Sequence, residues 1–330
     1  MMDLAALLAP LTNSHLEEMA SVAQQLTLRH FGRAIQLYTP MYLSNFCDNH
    51  CIYCGFNKGN DIERKRLTLE QVRKEAVFLS EKGFQHILIL TGSSRSESPI
   101  SYIIQCVKIL KEYFASVSIE IYVLTSQEYK TLIDAGVDGL TIYQETYDRE
   151  VYRRVHPKGP KSDYQFRLEA PERALSCGMR FVNIGALLGL SDWRKEAFAT
   201  ITHAKCLQDK YPESEISISV PRLRPYKGKL ENTVKVHDSD LAQMIMACRI
   251  FLPRVGVTLS TRESAKFREN VLPLGVTRMS ANSTTAVGGH TIKDDASSQF
   301  EISDQRNLTE IKQMLTAKGY QPVLKDWMPI

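Results

Sequence analysis

Leu37-Tyr38-Thr39-Pro40-Met41-Tyr42-Leu43-Ser44-Asn45-Phe46-Cys47-Asp48-Asn49-His50-Cys51-Ile52-Tyr53-Cys54 joins an apolar, β-rich run to a loop carrying three cysteines within eight residues. The run predicts a buried strand over Leu37 to Leu43. Outward from it, short apolar runs alternate with helical patterns along most of the chain. Strands are predicted at His86 to Thr91, Ser118 to Leu124, Gly139 to Tyr143, Phe181 to Leu187, Ile216 to Val220, Val255 to Ser260 and Val276 to Ser280, eight in all. Strands alternating with helices build a parallel sheet from βα units. Eight such units predict an α/β protein, a (β/α)8 TIM-type barrel whose chemistry sits on the loops after the strands.

The clearest helix spans Thr68 to Lys82, where Thr68 and Gln71 have capping-box spacing and Gly83 supplies the stop. Others are expected at Ser126 to Ala135 before Gly136, at Glu172 to Cys177 before Gly178, and at Leu308 to Ala317. Without a Pro- or Ser-rich linker, residues 1–34 read as an N-terminal helical lead-in, 35–290 as the barrel, and 291–330 as a C-terminal extension packed on it.

With 43% hydrophobic and 24% charged residues, the 330-residue chain can bury a large core and is not a disordered polymer. Its net charge of +4 is dispersed, with no run of five basic residues, which argues against a nucleic-acid surface. Nothing approaches the ~18 apolar residues of a membrane span. The first ten residues carry Asp3 and no basic n-region, so no export signal and a cytoplasmic location are expected. Seven cysteines, an odd number, then point to reduced thiols or a metal site rather than to disulfides.

The spacing CxxxCxxC at Cys47, Cys51 and Cys54 lets one loop hold three corners of a four-iron cluster and leaves one iron open for a cofactor. A zinc site using His50, or ordinary buried thiols, are the alternatives. Zinc knuckles usually pair CxxC units, and His50 beside Cys51 would strain joint ligation. Cys106, Cys177, Cys206 and Cys248 stand alone in predicted helices and are expected to face the core.

With Tyr53 supplying the aromatic position of CxxxCxΦC, the loop resembles that of the radical S-adenosylmethionine superfamily. The resemblance implies a [4Fe-4S] cluster on Cys47, Cys51 and Cys54. Its open iron would chelate the amino and carboxylate groups of S-adenosyl-L-methionine, and electron transfer would release a 5′-deoxyadenosyl radical. Further strings narrow the resemblance to the 2-iminoacetate synthases, the tyrosine lyases of thiazole formation in thiamine biosynthesis. They are Leu43-Ser44-Asn45-Phe46-Cys47, Tyr143-Gln144-Glu145-Thr146-Tyr147, Gly185-Ala186-Leu187-Leu188-Gly189-Leu190, Pro221-Arg222-Leu223-Arg224-Pro225, Ser260-Thr261-Arg262-Glu263-Ser264 and Lys325-Asp326-Trp327. Hydrogenase maturases share most of these strings but carry a second cysteine-bound cluster in a long C-terminal extension, and here no cysteine follows Cys248. The implied reaction converts L-tyrosine to p-cresol and 2-iminoacetate (dehydroglycine). A thiazole synthase partner and an electron donor such as flavodoxin or ferredoxin are implied with it. A related aromatic amino-acid lyase, tryptophan-type or hydrogenase-maturase-like, and a non-catalytic iron-sulfur carrier are the competing readings.

An amino-acid substrate needs a carboxylate clamp. Arg262, after strand seven, is the candidate because a guanidinium meets a carboxylate bidentately, with Ser283, and less directly Ser280, helping from strand eight. A rim ion pair between Arg262 and Glu263 is the plain alternative. Arg222 and Arg224 share one side of strand six, so one, taken here as Arg222, can reach the site while the other braces a loop. Tyr53, Gly92, Ser93, Glu145 and Gly189 are expected to hold the cofactor, although packing would also explain Gly185 and Gly189, and pairing with an arginine would explain Glu145. Ser93 stands where the superfamily usually has a glutamate that receives the methionine amino group; Glu97 could fold back to replace it.

Overall fold

The computed structural model describes all residues except 227–229, 231–232, 293–297 and 326–330, so Asp326 and Trp327 of the last quoted string lie outside the described residues. Eight parallel strands form its centre: β1 (Ala34–Ser44), β2 (His86–Thr91), β3 (Ser116–Glu120), β4 (Gly139–Glu145), β5 (Phe181–Ala186), β6 (Glu215–Ser219), β7 (Gly256–Leu259) and β8 (Arg278–Ser280). Each pairs with the next, and β1 pairs with both β2 and β8, which closes the sheet into a barrel. Helices cover the outside and side chains fill the inside, so the strands are buried on both faces, with serines alternating with apolar residues in β3 and β6. In β2, His86 to Leu90 are all buried.

Local sequence signals act where expected. Thr68 Oγ1 accepts from Gln71 N at 3.2 Å while Thr68 N donates to the Gln71 side chain at 2.8 Å, completing the capping box of helix Leu69–Glu81. Gly83, Gly136 and Gly178 all have positive φ just past helix ends. Strand three differs from expectation, starting at Ser116 and ending at Glu120 rather than Leu124. Ile121, Tyr122 and Leu124 leave the sheet yet stay buried, and Tyr122 donates its hydroxyl to Ser98 O at 2.7 Å. A packed apolar loop has the composition of a strand.

The lead-in forms helices Met2–Leu7 and Asn13–Phe31. Buried Arg249 ties the second of these to the barrel, lying 4.4 Å over the Phe31 ring and donating to the carbonyls of Pro253, Val255 and Gly275. At the other end, helix Leu308–Ala317 leads to a short ninth strand, β9 (Gln321–Val323), which pairs parallel with Ala34–Gln36 of β1. Asp304 anchors this extension by accepting from Arg268 at 2.5 Å and Arg306 at 2.7 Å. Among the described residues, no helix is long and apolar enough to cross a membrane.

Two register shifts occur at the carboxyl rim, between Tyr42 and Ser44 of β1 and between Tyr143 and Glu145 of β4. Bulges re-aim side chains next to sites. One precedes the cysteine loop and the other delivers Glu145.

Candidate active site

Cys47, Cys51 and Cys54 line one cavity at the carboxyl end of the barrel, a space of ≈ 1300 Å³ counted to its open mouth. The cysteine loop is held from two sides. Asp48 N donates to Ser93 O at 3.0 Å, while His50 N and Ile52 N donate to the carbonyls of Lys158 and Val155 in the β4–β5 connection. Gly92 presses on the loop so closely that a Cβ there would stand 2.2 Å from Phe46 O.

These residues fit a cubane cluster. Amide groups of Asn49 and Gln299 donate to the sulfurs of Cys47 and Cys54 at 3.7 Å each, the kind of contact that stabilises cluster thiolates. Burial pushes the Cys51 thiol up to about 12 and raises that of Cys54 as well. Such thiols are poor nucleophiles, and coordination to a metal is what deprotonates them. The remaining cysteines divide: Cys106 and Cys248 are buried as expected, Cys177 is half-buried, and Cys206 is exposed rather than core-facing.

Tyr53 is buried at the same wall, with its hydroxyl 2.7 Å from His156 Nε2. His156 Nδ1 lies 2.9 Å from Tyr152 O, which can only accept, so Nδ1 carries the proton and Tyr53 donates. Burial pushes His156 down to about 2, which keeps it neutral. Tyr53 therefore offers the cavity its ring, not its hydroxyl.

Glu145 takes a positive φ of 71°, a conformation non-glycine residues hold only under compulsion. Lys161 supplies it, donating to the carboxylate at 2.5 Å, and Arg167 approaches to 3.5 Å. Burial opposes ionisation of Glu145, but these two cations outweigh it and hold the carboxyl below its usual range. The arginine-paired reading of Glu145 thus describes the contacts, and lysine is its nearer partner.

On the far wall, Arg262 and Ser283 line the cavity. Arg262 lies 3.4 Å over the Phe300 ring, and among the described residues no carboxylate pairs with it. Glu263 instead takes Arg222, whose Nε donates to it at 3.1 and 2.9 Å. Among the described residues, Ser283 Oγ is buried without a partner, as are Thr91 Oγ1 and Arg224 Nε, all at the cavity lining. Buried polar groups are rarely left unpaired, so these three mark space meant for a polar ligand. Ser280 Oγ is already engaged, accepting from Thr261 N at 2.9 Å.

Three expectations are redirected. Arg222 lies outside the cavity, held by Glu263 and by Asp238 at 2.8 Å, and it is Arg224 that reaches in. Gly189 also lies outside it, at a turn with φ 112° that its neighbour Leu223 packs against; at Gly185 a Cβ would stand 2.6 Å from Ser219 O, so strand packing accounts for that glycine. Ser93 lines the cavity, but Glu97 does not, so the structure places no Glu97 carboxylate beside it. Sequence reasoning missed Glu120, Lys161, Arg167 and Gln299. The first was hidden inside an overlong strand, two lie in an unanticipated helical insertion between β4 and β5, and the last comes from the C-terminal extension.

The model of the radical SAM superfamily matches residues 41–201, and that of the biotin and thiamin synthesis associated domain matches 219–321. The chain is 40% identical to 2-iminoacetate synthase of Escherichia coli (strain K12) over 98% of its length and 86% of that protein. It is 38% identical, with the same coverage, to the enzyme of that name from Salmonella typhimurium. The FeFe-hydrogenase maturase HydG from Carboxydothermus hydrogenoformans superposes with a TM-score of 0.91 at 33% identity, over 97% of this chain and 74% of that one.

Proposed function

Because the chain belongs to the 2-iminoacetate synthase family of the radical S-adenosylmethionine superfamily, we propose that it cleaves the Cα–Cβ bond of L-tyrosine to p-cresol and 2-iminoacetate, for thiazole formation in thiamine biosynthesis. The observation that carries the reading is an arginine, Arg262, left without a carboxylate partner among the described residues and facing the same cavity as the three cysteines. A guanidinium there can take an amino acid's carboxylate bidentately.

The family's [4Fe-4S] cluster and S-adenosylmethionine supply a 5′-deoxyadenosyl radical when bound. Cys47, Cys51 and Cys54 would hold the cluster, and Gly92, Ser93, Tyr53 and Glu145 would border the cofactor. The chain's own work is positional. Arg262 fixes the carboxylate, Ser283 Oγ hydrogen-bonds the same end, and the enclosed lining keeps water and stray hydrogen donors from the reacting amino group. Ionised Glu145, bound by Lys161 and Arg167, keeps two cations in place on the β4 side. Arg222 contributes by bracing Glu263, the residue after Arg262, and so sets the rim on which Arg262 sits. A one-electron donor such as flavodoxin or ferredoxin and a thiazole synthase complete the proposal as partners.

The test is anaerobic cluster reconstitution followed by reductant, S-adenosylmethionine and tyrosine, with p-cresol read by chromatography. Formation of p-cresol is expected. 5′-Deoxyadenosine without p-cresol would overturn the substrate assignment, and tryptophan in the same assay separates an indole-cleaving relative. Absence of any spectroscopic response of the cluster to S-adenosylmethionine would point to an iron-sulfur carrier.

A further inference from the structure

Resting on that tyrosine reading, we infer that Glu120 receives the phenol hydroxyl of the substrate and selects a para-hydroxylated ring over a bare one. Glu120 is the last residue of β3 and lines the cavity. In a barrel of eight strands, β3 and β7 are four strands apart and form opposite walls. An amino acid held by its carboxylate at Arg262, just beyond β7, directs its side chain across the cavity towards β3. The surfaces between are suited to an aromatic ring: Leu88, Leu90, Tyr38, Tyr42 and Tyr143 all line the same space.

Glu120 has been left with its acceptor capacity open. Among the described residues it joins no ion pair within 4 Å, and no side chain donates to it. The hydroxyls nearest in charge terms are turned elsewhere: Tyr42 donates to Gln299 Oε1 at 2.7 Å and Tyr143 to Ser219 Oγ at 3.3 Å. Glu120 is half-buried, with its carboxylate open to the cavity; once a substrate ring displaces the solvent there, a carboxylate left without a partner costs several kcal/mol. A phenol O–H arriving from the substrate is the donor the geometry lacks.

Charge supports this placement. Burial and the neighbouring Glu145 raise the Glu120 carboxyl, and Arg262, Lys161 and Arg167 only partly offset them, leaving it at about 7. Near neutrality the group can therefore accept a hydrogen bond as a carboxylate. Glu145 differs because its own cations touch it, so the two acids have separate tasks: one anchors lysine and arginine, the other waits for a donor. Phenylalanine would leave the carboxylate buried and unpaired, the situation in which sites built for a hydroxyl reject its absence by ~10⁴-fold or more.

The experiment measures equilibrium binding of tyrosine, phenylalanine and p-cresol to the cluster-loaded enzyme with S-adenosylmethionine present, alongside product formation, for wild type, Glu120→Gln and Glu120→Leu. Glu120→Leu is expected to weaken tyrosine and p-cresol by ~100-fold and to improve phenylalanine. Glu120→Gln, whose amide oxygen still accepts, falls between and serves if the leucine variant does not fold. Tyrosine binding by wild type should also weaken as the pH falls through about 7, and that limb should vanish in Glu120→Gln. p-Cresol tests the ring end alone, since it has nothing for Arg262 to clamp. Variants that bind tyrosine and p-cresol like wild type, with the tyrosine-to-phenylalanine ratio unmoved, overturn the role of Glu120 and leave the tyrosine reading intact. A wild-type enzyme that neither binds nor cleaves tyrosine overturns both.

Discussion

A methyl group at residue 92 would stand 2.2 Å from the Phe46 carbonyl oxygen and 2.8 Å from its carbon, where side chains do not come closer than 3.0 Å. Both obstacles are backbone. Gly92 N is itself committed to Ser44 O at 2.8 Å, so moving either segment strains this bond. In Gly92→Ala the two loops must therefore part by about 0.8 Å, because a close-packed interior offers no slack. The displacement falls on Cys47, next in sequence to Phe46, and on Ser93, whose carbonyl accepts from Asp48 N. Overpacking costs about 1–3 kcal/mol of stability, at roughly 2–4 °C per kcal/mol for a large domain. Misplacement near 1 Å costs reacting groups ~10²-fold in rate. Gly92→Ala should thus fold, melt a few degrees lower, and form 5′-deoxyadenosine on the order of 100-fold more slowly. Iron and sulfide content, the cluster's paramagnetic signal with and without S-adenosylmethionine, and the melting curve are measured together. A wild-type rate with an unchanged signal would refute the claim that Gly92 sets the cysteine loop.

Arg262→Lys should raise KM for tyrosine by roughly 10–100-fold, since a charged hydrogen bond is worth about 1.5–3 kcal/mol, while substrate-free 5′-deoxyadenosine formation stays unchanged; equal loss of both would contradict the clamp. Arg222→Met leaves Glu263 buried without its main partner and should cost about 3–5 kcal/mol in denaturant unfolding; a drop in kcat at unaltered stability would count against a bracing role. Glu145→Gln should release Lys161 and weaken S-adenosylmethionine binding, read by the cluster's spectroscopic response, with tyrosine affinity at saturating cofactor little changed. Burial works against the Asp304 carboxyl, but Arg306 and Arg268 outweigh it and hold it below its usual range. A depressed folded-state value contributes stability above the unfolded value of ~3.9 and loses it as the pH falls further. Asp304→Asn should therefore be less stable at neutral pH, and its stability should fall less steeply below about pH 4, as followed by circular dichroism.

The sequence by itself determined the eight barrel strands, their parallel order and the loop that carries the cysteines, though not the short β9, because strand hydrophobicity, capping boxes and CxxxCxxC spacing are local signals. Thr68 with Gln71 specifies a helix start wherever the helix packs, and three cysteines in eight residues lie together under any tertiary arrangement. Which of two arginines enters the cavity was not legible: Arg222 and Arg224 stand two residues apart beyond the end of β6, and Glu263 and Asp238, distant in sequence, take one of them. Glu120 was concealed for a related reason, since β3 ends there only because Ile121 to Leu124 find burial off the sheet. Lys161 and Arg167 acquire meaning solely from the insertion that folds them onto Glu145. Closure of the barrel decided all of these, because facing walls are joined by no local pattern and only packing at a distance brings Arg262, Glu120 and the cysteine loop around one space.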